Sequence, residues 1–122
     1  MADGESTVEE AKQMVRSFCE ARDWDRFHTP KNLSIGIVTE ASELLALFRF
    51  MDETESLTML RGEDFRNKVG EELADVYYFL LRFAQRNSFD LTDELARKMA
   101  INESRYPVSK AKGSNRKYDK ID

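Results

Sequence analysis

The chain is poor in the residues that staple, bind zinc and break helices. Its 122 residues include one cysteine, one histidine, two prolines and five glycines. A lone cysteine excludes an internal disulfide, and a lone histidine excludes most histidine-based zinc sites. Scarce glycine and proline, with no stretch of convincing alternation, point to an all-α fold. The longest uncharged apolar run is the six residues of VYYFLL, far short of the ~18–20 that a membrane span needs. The opening MADGESTVEE has no basic stretch followed by an apolar one, so we expect no secretion and a cytoplasmic location. Basic residues are not in excess, which argues against general nucleic-acid binding.

Charge, by contrast, is abundant. Charged residues make up 34% of the chain, 19 basic against 23 acidic, for a net charge of −4. The balance is uneven: residues 107–122 hold five basic and two acidic groups, leaving 14 basic and 21 acidic in the body. An acidic body with a basic tail suits a site needing carboxylates in one place and phosphate-neutralising cations in another. The length is that of one domain, and the 41% hydrophobic content supports a modest core that a partner subunit would complete.

The periodicity predicts four main helices. Thr7 and Glu10 are spaced for a capping box opening a helix to about Arg22, whose apolar face holds Val8, Ala11, Val15, Phe18 and Cys19. Cys19 reads as a buried structural thiol. After the loop RDWDRFHTP, Thr29-Pro30 starts a second helix to about Phe50. Residues 51–63 read as a polar connection in which Leu57, Met59 and Leu60 form at most a short helical turn. A third helix is expected over about Asp64–Arg86, and a fourth from Asp90 or Thr92 to near Pro107. Residues 1–6 are expected to be a flexible N-terminus, 7–106 the helical domain, and 107–122 a basic tail without periodicity. Tyr77, Leu81 and Leu45 extend the apolar stripes beyond what one neighbour covers, which predicts a dimer at least, and a tetramer before a dimer.

The second and third helices repeat one pattern 32 residues apart. Apolar positions 33, 37, 41, 44 and 48 map onto 65, 69, 73, 76 and 80, and Glu40 and Glu43 onto Glu72 and Asp75. At about 100° per residue, the first acid of each pair sits roughly 20° outside the apolar stripe and the second roughly 80° outside, on the same side. Antiparallel packing would bring the two shoulders together at the rim of the core. Gathered carboxylates repel and resist ionisation unless a cation joins them. Oxygen ligands suit a hard cation, with Mg²⁺ favoured where phosphate and water complete its shell. A single E-x-x-E is usually a solvated helix face; two in matched positions beside a core weigh equally for a metal site. A di-iron bundle would want Glu-x-x-His on two helices, and neither Glu43 nor Asp75 is histidine.

Two further groups carry possible chemistry. Lys98 and Asn102 flank the direction of Leu95 on the fourth helix, with Arg105 near the same side. They either cap neighbouring carbonyls or reach into a cleft to hold phosphate. The loop Trp24-Asp25-Arg26-Phe27-His28 concentrates the chain's only tryptophan and only histidine. Aromatic faces with a few hydrogen-bonding groups suit a nucleobase, and equally a hydrophobic plug between helices.

Glu40, Glu43, Glu72 and Asp75 stand as an E-x-x-E followed by E-x-x-D, preceded by RDWDRFHTPKNL and followed by KMAINESRYP and SNRKY. In these segments the chain resembles the MazG-like all-α nucleoside triphosphate pyrophosphatases, in their dCTP pyrophosphatase branch, over about residues 8–118. The resemblance implies a helical bundle completed by dimerisation, often a dimer of dimers, and Mg²⁺-dependent hydrolysis of a nucleotide to monophosphate and pyrophosphate, with Mn²⁺ as a substitute. It implies that Glu40, Glu43, Glu72 and Asp75 are the catalytic metal-binding acids. It places Trp24, Asp25, Arg26, Phe27 and His28 in a substrate-binding loop, and Lys98 and Asn102 near the nucleotide; Arg105 and Tyr118 are expected to join the substrate site. Phe50 and Phe79, both expected in the substrate site with Phe50 bordering the base, stand where the animal enzymes resemble one another in having Trp and Tyr, and Val15 stands where they have His. The expected activity is house-cleaning of dCTP or modified dCTP. The alternatives are a same-fold pyrophosphatase acting on dATP, dUTP or a broader range, and a non-catalytic helical interaction module. Charge asymmetry adds one expectation: Lys112, Arg116 and Lys117 of the tail join the active site to neutralise the pyrophosphate when substrate binds.

Overall fold

A computed structural model describes residues 2–121. Among them there is no β-strand, and six α-helices are present rather than four. The chain forms two compact units, one ending at Phe89 and the other beginning at Asp90.

The first unit holds α1 (Val8–Ala21), α2 (Pro30–Phe48), α3 (Glu53–Leu60) and α4 (Glu63–Arg86), with short 3-10 turns at Asp3–Glu5 and Asp25–Phe27. Local chemistry sets most of the boundaries. Thr7 Oγ1 accepts from the Glu10 amide at 3.1 Å while the Thr7 amide donates to Glu10 Oε1 at 3.2 Å, closing the capping box. Thr29 Oγ1 accepts from the Asn32 amide at 3.2 Å, with Pro30 as the first helical residue of α2. The connection after α2 is more helical than its polar composition suggests: Asp52 Oδ1 accepts from the Glu55 amide at 2.8 Å and nucleates α3. α2 accordingly stops at Phe48, leaving Phe50 outside any helix.

α4 is the hub, packing most extensively against α2 and also against α1 and α3. α2 and α4 run antiparallel. Phe48 near the end of α2 meets Phe65 near the start of α4, ring centroids 5.3 Å apart and edge to face, and Gly36 lies opposite Phe79. The buried apolar residues are Val15, Cys19, Leu33, Val69, Leu81 and Ala84. Leu81 is therefore core, contrary to its expected place on a free face. Ala41, Leu73 and Leu80, expected in the stripes, are exposed. On α4 the reason is that the helix is shared among α2, α1 and α3, and no one partner covers its full apolar arc.

The second unit holds α5 (Leu91–Arg105), α6 (Val108–Ala111) and a 3-10 turn at Tyr118–Lys120. Asp90 Oδ1 accepts from the Asp93 amide at 2.9 Å and caps α5. The tail is thus not without structure. The Arg105 guanidinium lies 4.6 Å from the centre of the Tyr118 ring, and Tyr106 meets that ring edge to face at 6.1 Å.

Candidate active site

The antiparallel pairing of α2 and α4 carries the E-x-x-E of one helix to the E-x-x-D of the other. Carboxylate oxygens of Glu40, Glu43 and Glu72 all lie within 4.8 Å of one another. Glu40 and Glu72 are half-buried and Glu43 is exposed, as their angular offsets from the stripe require. Glu40 Oε2 and Glu72 Oε2 are shut off from solvent and have no hydrogen-bond partner. Burial, then the neighbouring Glu43, pushes the Glu40 carboxyl up to about 6, with Asp75 and Glu72 adding to the repulsion. Burial and the charge of Glu43 also raise Glu72. Two buried anionic oxygens without donors are costly unless neutralised. All the donors are carboxylate oxygens, the ligand type of a hard divalent cation. These residues fit one.

Asp75 stands apart from the three. It lines a cavity of about 550 Å³ beside them, together with Met14, Val15, Phe18, Trp24, His28, Ala74, Tyr78 and Phe79. The aromatic walls brace each other edge to face: Phe18 and Trp24 at 5.7 Å, Phe18 and Tyr78 at 6.2 Å, Tyr78 and Phe79 at 5.0 Å, Trp24 and His28 at 6.1 Å. The Tyr78 hydroxyl is committed to Cys19 Sγ at 3.0 Å. A mostly apolar slot of this size, opening beside an acidic cluster, can hold a flat heterocycle next to a cation-bound anion.

The loop that carries Trp24 divides its labour. Trp24 and His28 line the cavity. Asp25 instead pairs with Arg82 and, at 3.5 Å, with Arg86, and the Arg82 guanidinium holds its carboxyl below the usual carboxylate range. Arg26 is exposed, paired with Asp23 at 3.3 Å and set 5.1 Å from the centre of the Phe27 ring; Phe27 is itself exposed. Phe50 is 88% exposed and lies outside the cavity lining, its ring beneath the Arg49 guanidinium at 4.9 Å. Lys98, Asn102, Arg105, Lys112, Arg116, Lys117 and Tyr118 all belong to the second unit.

Sequence reasoning missed Arg82. Its side chain is fully buried, donating from Nε to His28 Nδ1 at 2.9 Å and from Nη1 to Gln85 Oε1 at 2.6 Å, and pairing through Nη2 with Asp25. The available signal was an arginine inside the apolar run YYFLLRFA, since a buried cation requires partners. Phe18 read as part of the apolar face of the first helix from its spacing, but it lines the cavity, and so does Tyr78.

Comparison with known proteins agrees with this arrangement. Residues 35–121 match the model of the MazG-like family. The chain is 37% identical over 114 residues to dCTP pyrophosphatase 1 of Mus musculus, covering 93% of this chain and 67% of that protein. To dCTP pyrophosphatase 1 of Homo sapiens it is 36% identical over 117 residues, covering 96% and 69%. The crystal structure of a pyrophosphatase from Archaeoglobus fulgidus superposes with a TM-score of 0.77 at 36% identity, covering 82% of this chain and 92% of that one.

Proposed function

The chain belongs to the MazG-like family, and we propose that it is a nucleoside triphosphate pyrophosphatase acting on dCTP or a modified dCTP, releasing the monophosphate and pyrophosphate. The observation that carries this reading is the adjacency of two features: three carboxylates within 4.8 Å and an aromatic slot lined by Asp75, Trp24 and His28.

Glu40, Glu43 and Glu72 would hold Mg²⁺, or Mn²⁺ in its place, and Asp75 would complete the acidic set from the cavity side. When bound, the cation would supply positive charge against the triphosphate and acidify water. The protein's own groups do the rest. The rings of Trp24, Phe18 and Phe79 take the base and keep water from it. A carboxylate of the acidic set accepts the proton of the water that attacks the α-phosphorus, and the bond to the bridging oxygen of pyrophosphate breaks. Lys98, Asn102 and Arg105, with Lys112, Arg116 and Lys117 of the tail, are the cationic and polar groups assigned to the phosphates, where fixed positive charge stabilises the leaving group.

Assembly and location belong to the same proposal. Ile35, Val38 and Leu45 of α2 and Leu73, Tyr77 and Leu80 of α4 are exposed large apolar residues, which supports a homodimer, paired again as a tetramer. Among the described residues no helix is long and apolar enough to cross a membrane, and the proposed site of action is the cytoplasmic nucleotide pool.

The test is pyrophosphate release measured across all ribo- and deoxynucleoside triphosphates, with Mg²⁺, with Mn²⁺ and with chelator. We expect turnover fastest with dCTP or a 5-substituted dCTP and none in chelator. No turnover of any triphosphate with either cation overturns the reading and favours a non-catalytic interaction module.

A further inference from the structure

We propose that buried Arg82 fixes His28 in one tautomer, and that His28 thereby becomes a specificity-determining donor reading a hydrogen-bond acceptor on the bound base. Arg82 is the positioning residue and His28 the contact. This rests on the reading above that the aromatic cavity takes the base.

The argument starts from what a guanidinium can do. Arginine has five N–H donors, no acceptor, and never loses its proton in a protein. Its Nε faces His28 Nδ1 at 2.9 Å, so Nδ1 must present a lone pair, and a neutral imidazole then carries its hydrogen on Nε2. Arg82 cannot retreat from this position. It is fully buried, and its other nitrogens are engaged by Asp25 from the loop turn and Gln85 one turn further along α4. The charged groups around the ring agree: Arg82 and Arg86 both oppose a second proton, and only Asp25 favours one. The loop side is equally constrained, since the His28 amide donates to Asp25 O at 3.1 Å. The tautomer is therefore decided from behind the ring, before any ligand arrives.

What this leaves in the cavity is narrow. Met14, Val15, Phe18, Ala74 and Phe79 offer no side-chain hydrogen bonds, and the Tyr78 hydroxyl is paired with Cys19 Sγ. Asp75 can only accept when ionised. Apart from the paired Tyr78 hydroxyl, the side-chain donors of the lining residues are the His28 Nε2–H and the Trp24 indole N–H. A heterocycle that turns a carbonyl oxygen or an unprotonated ring nitrogen towards His28 satisfies both partners. One that turns an N–H there leaves two donors facing each other out of water, which is the strong kind of discrimination.

The chain has a single histidine and a single tryptophan, so each gives one unambiguous resonance. Long-range ¹H–¹⁵N correlation of the imidazole in the full-length protein should show Nδ1 bare and Nε2 protonated. Adding Mg²⁺ and a non-hydrolysable dCTP analogue with a methylene bridge between the α- and β-phosphorus should shift both the His28 Nε2 and the Trp24 indole signals. R82M should lose the single tautomer and raise KM about tenfold while kcat changes less than about twofold. H28Q should raise KM by a similar factor, and R82M added to H28Q should raise it no further. If R82M does not fold, D25N, on a partly accessible loop residue, loosens the same guanidinium and should mix the tautomers with a smaller rise in KM. A wild-type ring protonated at Nδ1, an Nε2 signal that stays still while Trp24 shifts, or a lost tautomer with unchanged KM overturns the proposal. If neither signal moves, the base does not enter this cavity, and the reading of the cavity as the base site falls with the proposal, while pyrophosphate release still decides the activity itself.

Discussion

Gly36 lies beneath the ring of Phe79: a Cβ placed on Gly36 would stand 2.5 Å from Phe79 Cε1 and 2.6 Å from Cδ1. The contact joins the middle of α2 to the side of α4 that faces the cavity, so the glycine decides where one aromatic wall stands. In an exposed helix interior, Gly→Ala stabilises by about 1 kcal/mol. Here the added methyl must push the ring into the cavity. We expect G36A to be destabilising by overpacking, on the order of 1–3 kcal/mol before the helix gain is subtracted, and to raise KM. G36A/F79L should recover stability without the KM of wild type. Urea unfolding and steady-state kinetics on the three proteins check this; a more stable G36A with unchanged KM would show that Phe79 yields freely.

The acidic cluster makes an opposite pair of demands on activity and stability. E40Q and E72Q keep size and remove a charge, so pyrophosphate release should fall by orders of magnitude. The metal-free protein should be as stable as wild type or more so, because the repulsion from Glu43 and the cost of holding a charge away from solvent both disappear. Turnover and unfolding midpoint, measured in parallel, separate these effects from misfolding. Wild-type turnover in either variant removes that residue from the mechanism.

Two perturbed groups of the first unit, Glu40 and His28, predict opposite slopes of stability with pH. Glu40 titrates near 6 in the folded protein against an ordinary 4.5. The folded state therefore holds more protons between those values, and stability from this group is lost as pH rises through 6. His28 is lowered from 6.5 by burial and by Arg82. The unfolded state then holds more protons, and stability is lost as pH falls below 6.5. In chelator, E40Q should steepen the loss of stability towards acid, and H28Q should flatten it. Urea titrations between pH 5 and 7 on wild type and both variants measure the slopes directly; the reverse ordering would mean the assigned groups are wrong.

Trp24 and Phe50 form a matched test of where the base sits. Trp24 lines the cavity and braces Phe18 and His28, so W24A should lose stacking of about 1–3 kcal/mol and raise KM roughly tenfold to a hundredfold. Phe50 is exposed and outside the lining, so F50A should change monomer stability by no more than about 0.5 kcal/mol. F50W should leave the ranking of substrates as it is. A substrate ranking that follows Phe50 would place the base against residue 50 rather than in the Trp24 cavity.

What the sequence determined by itself is what lies within a few residues along the chain. Thr7 with Glu10, Thr29 with Asn32, and Asp90 with Asp93 set helix starts through contacts three residues long. The offset of Glu40 and Glu72 from the apolar stripe follows from 100° per residue, and so does their half-burial. The acids were legible because both pairs ride on regular helices whose facing edges repeat. α3 was nearly hidden, since one capping aspartate decided it against a polar composition. The remainder depends on which distant side chains share a volume, and helical periodicity says nothing of that. Arg82 reaches His28 across 54 residues, turning a loop histidine into an acceptor on one side and leaving its donor on the other. Asp75 and Glu43 occupy equivalent positions in the repeat, yet Asp75 lines the cavity while Glu43 joins the cluster. Phe50 carries an aromatic ring in a promising stretch of sequence, but α2 ends two residues before it and leaves it in solvent. A helix fixes the direction of each side chain around its own axis; only the packing of α1, α2 and the loop around α4 decided what each direction meets.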